Sequence, residues 1–126
     1  MKEEALMEAY TPCWKNLVIA RKGLDHIVFK IEDIACFYTS EKLVFLLDKE
    51  GQKYLLDESL SQLEKELDPA LFFRANRQYL VHIRYIKKFR TYQRLRIQVE
   101  LAIPGAHLVL TSQLLTASFR KWIYGH

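Results

Sequence analysis

Between Arg74 and Arg84 the chain reads Arg-Ala-Asn-Arg-Gln-Tyr-Leu-Val-His-Ile-Arg. These residue types share one chemistry. Arginine presents paired donors that fit a phosphate or the major-groove edge of guanine, and asparagine or glutamine fits adenine. The polar part, Ala75 to Tyr79, lies between the apolar stretches Leu71-Phe-Phe and Leu80-Val. A polar segment placed so can protrude, and a side chain on a protruding tip can enter a groove that a flat sheet cannot. Just downstream, Lys87-Lys-Phe-Arg90 is a basic run suited to neutralising phosphates. Tyr79, Tyr85 and Tyr92 could stack on single-stranded bases, although plain packing is the stronger reading.

Charge distribution supports a polyanion as partner. Residues 1–70 hold nine Lys and Arg against fourteen Asp and Glu, a net of −5. Residues 71–126 hold ten basic residues and one acid, Glu100, a net of +9. One strongly positive face in so small a chain points first to nucleic acid, then to an anionic membrane, with a solvated surface as the bland alternative.

Other chemistries find little support. His26, His82, His107 and His126 have no second metal-type ligand at short spacing, so no metal site is expected. Glycine-rich phosphate loops and a Gly-x-Ser-x-Gly elbow are absent, and only four glycines occur. The acid pairs Glu32/Asp33 and Asp57/Glu58 fall in turns, where solvated carboxylates belong. No catalytic residue and no cofactor is expected, and the chain does not read as an enzyme. Cys13 and Cys36 lack Cys-x-x-Cys spacing and read as reduced, mostly buried thiols. The acidic start, Met1 to Tyr10, lacks the apolar core of a signal peptide, so a cytoplasmic location is expected.

The elements that must carry the basic segment follow from periodicity. With 126 residues the chain is one domain's length, and 50% hydrophobic with 13% aromatic content excludes intrinsic disorder. Residues 3–9 could form a short helix. Strands are expected at 16–22, 26–31, 34–39, 43–47 and 52–56, separated by turns at Gly23, Glu32-Asp33, Ser40-Glu41-Lys42 and Asp48-Lys-Glu-Gly51. Leu60, Leu63 and Leu67 then mark one face of a helix capped by Asp57 or Ser59 and stopped by Pro69. Its acids place it away from any polyanion, covering a sheet. A strand at 71–74 follows, then a helical turn running into a strand within 80–90, a strictly alternating strand at 95–101, and a strand at 108–110. A final helix over 112–123, capped by Thr111 or Ser112, carries Leu115, Phe119, Trp122 and Ile123 on one stripe. The fold class is mostly β with short helices. Residues 1–14 read as an extension or linker and 15–126 as the domain.

Phe72-Phe-Arg-Ala-Asn-Arg-Gln-Tyr-Leu-Val-His-Ile-Arg-Tyr-Ile86 resembles the signature of LytTR-type DNA-binding domains, roughly F-x-R-x-H/N-R-S/Q-aromatic-apolar-V-N-x-x-x-I. Ile34-Ala-Cys-Phe-Tyr-Thr-Ser resembles the family's I-x-Y-I-E-A strand. Tyr54 to Glu64 resembles the strand before its S-L-x-x-L-E helix, and Val109-Leu-Thr-Ser-Gln with Phe119-Arg-Lys-Trp-Ile resembles its last strand and following helix. The match covers about residues 15–124. It implies small β-sheets with a helix after the fifth strand and a C-terminal helix.

The resemblance also implies sequence-specific binding of double-stranded DNA by loops in successive major grooves, as a transcriptional regulator. Base contacts would come from Lys42 in the turn 40–42, from Asn76 and Arg77, and from Gln113. Arg74, Gln78, Arg84, Lys87, Lys88 and Arg90 would make phosphate or positioning contacts. The resemblance further implies paired direct repeats, a homodimer on DNA, and a bacterial two-component response regulator whose receiver domain lies outside this chain, or a stand-alone version. His82 replaces a common Asn, and Gln113 stands where many members carry Arg. A rival reading is a small β interaction module whose basic face docks an acidic protein or a membrane surface.

Overall fold

The computed structural model describes residues 13–93, 95–105 and 107–126. The short helix expected at 3–9 lies outside these residues. Among the described residues, ten strands form two antiparallel sheets. They are β1 (Leu17–Lys22), β2 (Asp25–Lys30), β3 (Ile34–Ser40), β4 (Leu43–Asp48), β5 (Lys53–Leu56), β6 (Phe72–Arg74), β7 (Tyr79–His82), β8 (Ile86–Tyr92), β9 (Arg96–Leu101) and β10 (Leu108–Leu110). Two helices accompany them, α1 (Leu60–Glu66) and α2 (Thr116–Tyr124). The larger sheet has seven strands in the order β2-β1-β5-β4-β3-β7-β6, and the smaller runs β10-β9-β8.

Alternation along the strands builds two cores, one on each face of the large sheet. Phe37, Leu46 and Leu80 point to one face, where they meet Leu60, Leu63 and Leu67 of the α1 segment. Seven residues are too few for an isolated helix. Burial of those three leucines, each giving about 1.5–3 kcal/mol, holds α1 on the sheet. Ser59 caps it, its hydroxyl accepting the Gln62 N–H at 3.1 Å. On the other face, Cys36, Leu47 and Val81 meet Ile97, Val99, Leu101 and Val109 of the small sheet and Phe119 of α2. The acids of α1 therefore lie across the large sheet from the basic small sheet.

Turn chemistry fixes the hairpins. Asp48 Oδ1 accepts the N–H groups of Glu50 and Gln52, and Gly51 adopts φ +80°. A Cβ at Gly51 would stand 3.1 Å from the Pro104 carbonyl oxygen, so the two sheets approach closely there. Glu32-Asp33 ends β2 as expected, within a single 3-10 turn over Ile31–Asp33. A second such turn, Ile83–Tyr85, joins β7 to β8.

Two expectations need correction. The last helix starts at Thr116, after a 3-10 turn at Gln113–Leu115, and has no side-chain cap. Neither Thr111 nor Ser112 is its cap, because the 3-10 turn puts Leu115 at that position, and the buried Thr111 hydroxyl accepts the Ile97 N–H at 3.0 Å instead. Cys36 is buried and its thiol is pushed up to about 12 by desolvation, whereas Cys13 is exposed.

Candidate nucleic-acid interface

Three segments distant in sequence lie side by side at one end of the large sheet. The first is the β3–β4 turn, Ser40 to Leu43. The second is the β6–β7 loop, residues 75–78. The third is the stretch 111–115 after β10. Main-chain hydrogen bonds join them. Thr39 N–H donates to the Gln78 carbonyl at 2.9 Å, and Ser112 N–H donates to the Ala75 carbonyl at 2.9 Å. A side-chain bond adds to these, from Asn76 Nδ2 to the Leu110 carbonyl at 2.6 Å. The result is one continuous ridge.

The ridge separates residues that build it from residues it displays. Asn76 builds. Besides bonding Leu110, its Oδ1 accepts the N–H groups of Gln78 at 2.7 Å and Tyr79 at 2.9 Å. Arg74 also builds. Its guanidinium donates to the carbonyls of Asn76 and Arg77 and bonds Glu64 of α1 at 3.0 Å, leaving the side chain 22% exposed. Arg77 and Gln78 are displayed. Both are exposed, and the Arg77 guanidinium makes no hydrogen bond or ion pair among the described residues. Its alternative partner, Glu41, is exposed in the neighbouring turn.

Lys42 is displayed by a tight two-residue turn. Glu41 has φ +51° and Lys42 φ +68°, the paired left-handed conformation of a type I′ hairpin turn, which normally favours Asn-Gly. Gln113 is exposed at the start of its 3-10 turn.

Aromatic rings back the ridge. Tyr38 stacks on Phe45 with centroids 5.3 Å apart and on Tyr79 at 5.5 Å. Tyr79 Oη lies 3.1 Å from His107 Nε2. Burial raises the phenols of Tyr38 and Tyr79 and lowers the imidazole of His107, so all three stay neutral near pH 7. Tyr85 donates to the Glu32 carbonyl and is buried. Tyr79 and Tyr85 are therefore packed. His82 is also buried, its Nδ1 2.8 Å from the Ile34 carbonyl oxygen and its ring stacked on Phe72 at 4.5 Å.

The remaining basic residues are not all at the ridge. Arg84 lies in the turn beyond β7, at the end of that strand away from the 75–78 loop. Lys87 stands near the start of β8, also remote from it. Lys88 pairs across to Glu100, its Nζ 3.8 Å from a Glu100 oxygen, while Lys87 reaches the other oxygen at 3.6 Å. Arg90 pairs with Gln98, which pairs with Leu110, so Arg90 is level with the ridge. Sequence reasoning passed over Arg96 and Arg120. Arg96 opens β9 next to Ile97, which bonds Thr111. Arg120 donates to Thr91 Oγ1 at 3.2 Å. Sheet register puts Arg96 beside Thr111, and the packing of α2 sets Arg120 against Thr91, the strand partner of Ile97.

The family model of the LytTr DNA-binding domain matches residues 25–123. The chain belongs to the LytTR family. It is a DNA-binding domain of the kind used in transcription regulation. A search of curated proteins found no match. Among solved structures, the chain resembles the LytTr DNA-binding domain of a protein described as a methyl-accepting/DNA response regulator from Bacillus cereus. The TM-score is 0.79 at 19% identity, covering 86% of this chain and 97% of that one. That likeness bears out the expected LytTR arrangement, mostly β with a helix after the fifth strand and another at the C-terminus. Among the described residues, no helix is long and apolar enough to cross a membrane.

Proposed function

We propose that this LytTR domain reads duplex DNA by setting its ridge into the major groove. Lys42, Arg77 and Gln113 contact bases. Asn76 and Arg74 hold the loop that presents Arg77, and Arg90, Arg96 and Arg120 touch flanking phosphates, with Gln78 and Lys88 nearby. The observation that carries this reading is the joining of three displayed side chains by the bonds Thr39–Gln78 and Ser112–Ala75.

Dimensions support it. Strands β4, β3, β7 and β6 span about 14 Å at ~4.8 Å per neighbour, and the third segment extends the line. A B-DNA major groove is ~12 Å wide. A ridge about as long as the groove is wide suits seating the three displayed side chains in one groove, since the next major groove on that face of the duplex lies about 34 Å away. Paired direct repeats would then be read by two copies on one duplex, in the cytoplasm, with a receiver domain of a two-component system supplying the signal. Selection from a random duplex pool tests this reading. It is expected to return one preferred half-site, repeated at helical spacing. Recovery of no preferred sequence overturns it.

A further inference from the structure

We propose that Leu114 is a specificity-determining residue that recognises a thymine methyl group. This inference rests on the base-reading proposal above. Leu114 is 93% exposed at the centre of the 3-10 turn Gln113–Leu115. It contributes almost nothing to either core, yet its backbone is held firmly. Ser112 N–H is bonded to Ala75, Leu110 carbonyl to Asn76, and Leu115 N–H to the Ser112 carbonyl. A nearly bare leucine on a fixed turn, next to Gln113 and joined to the loop of Arg77, presents an apolar group on the side of the domain that faces DNA.

The chemistry of the groove narrows what that group can meet. Base edges there carry donors and acceptors that a leucine would strip of water without replacing. The one apolar feature of the unmodified major groove is the C5-methyl of thymine. Gln113 beside it has the amide that pairs with adenine N6 and N7. Adjacent amide and isobutyl groups thus read an adenine and a thymine together, so the third contact prefers A·T pairs. Other exposed leucines serve as a contrast. Leu24 and Leu95 lie in the β1–β2 and β8–β9 turns, neither of which is bonded to the 75–78 loop among the described residues.

Deoxyuridine scanning tests the assignment. Uracil pairs like thymine but lacks the methyl. Each thymine of the selected site is replaced singly, and binding is measured for the wild-type chain and for Leu114→Ala. The wild type is expected to lose about fourfold at one position, the worth of one buried methyl group. Leu114→Ala is expected to bind the parent site more weakly, to ignore that one replacement, and to keep its response at all others. Its melting temperature should equal the wild type's, since so exposed a side chain supports no packing. The proposal is overturned if Leu114→Ala keeps the wild-type scanning profile, or if it weakens specific and mixed-sequence duplexes by one common factor. Failure of the base-reading proposal itself looks different, because selection then yields no site to scan.

Discussion

Asn76 and Leu110 are thirty-four residues apart, yet the amide of one donates to the carbonyl of the other at 2.6 Å. That bond makes the positions of Arg77 and Gln113 interdependent. Asn76→Ala deletes it together with the two bonds that Oδ1 accepts. The expected cost is about 1–3 kcal/mol of stability, because the freed groups are partly buried. Preference should fall at the bases read by both Arg77 and Gln113. Asn76→Asp keeps the two accepted bonds but turns a carboxylate oxygen against the Leu110 carbonyl, replacing the link by repulsion, so its main effect should be on the contact of Gln113. Urea unfolding and binding to single-base variants of the preferred site check both.

Arg77→Ala should behave as the loss of a base contact. It is expected to cost about 1–3 kcal/mol on the preferred site and to flatten preference at one base pair, with stability unchanged. Equal weakening of specific and non-specific duplexes would remove Arg77 from the readers.

Position along the small sheet sorts the phosphate contacts. Two copies on one duplex, each supplying Arg90, Arg96 and Arg120, make six such contacts, so affinity should fall at least ~10³-fold between 50 and 200 mM salt. Arg90→Ala, level with Leu110, should lower the salt slope by about one and weaken all sequences alike. Arg84→Ala, at the far end of β7, should leave the slope unchanged. A titration of slopes across the two variants would expose any error in the placement of the DNA.

Lys42 sits at φ +68°, where glycine is at ease and lysine is not. Lys42→Gly should therefore raise stability by about 1 kcal/mol while weakening binding to the preferred site. Thermal melting and affinity should move in opposite directions. A variant that loses both would show that Lys42 serves the fold.

Burial holds the imidazoles of His82 and His107 below the ordinary histidine value of about 6.5. The unfolded chain then binds more protons than the folded one in mild acid. Stability should be full above about pH 6.5 and decline as the pH falls below it. His82→Asn should flatten that decline. A pH series of urea midpoints decides the matter, and an unchanged acid slope would exonerate His82.

Much of the fold was legible because burial leaves a period in the chain. β9 shows it most plainly, with Ile97, Val99 and Leu101 buried between polar neighbours. Leu60, Leu63 and Leu67 marked α1 with equal clarity, while its cap stayed open between Asp57 and Ser59 until the structure gave Ser59. The candidate site was legible as a set of residue types and much less as a set of roles. Donor-rich side chains look alike in sequence whether they face DNA or brace a loop, so Arg74 and Asn76 could not be told from Arg77. Glu64, the acid that engages Arg74, lies on a helix ten residues earlier. Arg96 gains its significance only through strand register, and Arg120 only through the packing of α2 on β8. Leu114 was invisible because an exposed apolar residue on an irregular turn leaves no periodic trace.

The bonds between Thr39 and Gln78 and between Ser112 and Ala75 run through peptide groups alone. Peptide groups survive any substitution except one to proline. The framework that spaces Lys42, Arg77 and Gln113 is therefore indifferent to which side chains occupy positions 77 and 113, and at 42 it asks only for a residue that tolerates a left-handed backbone. Copies of this domain could acquire new operators by single codon changes, each altering one letter of the recognised word while the spacing between letters stays fixed.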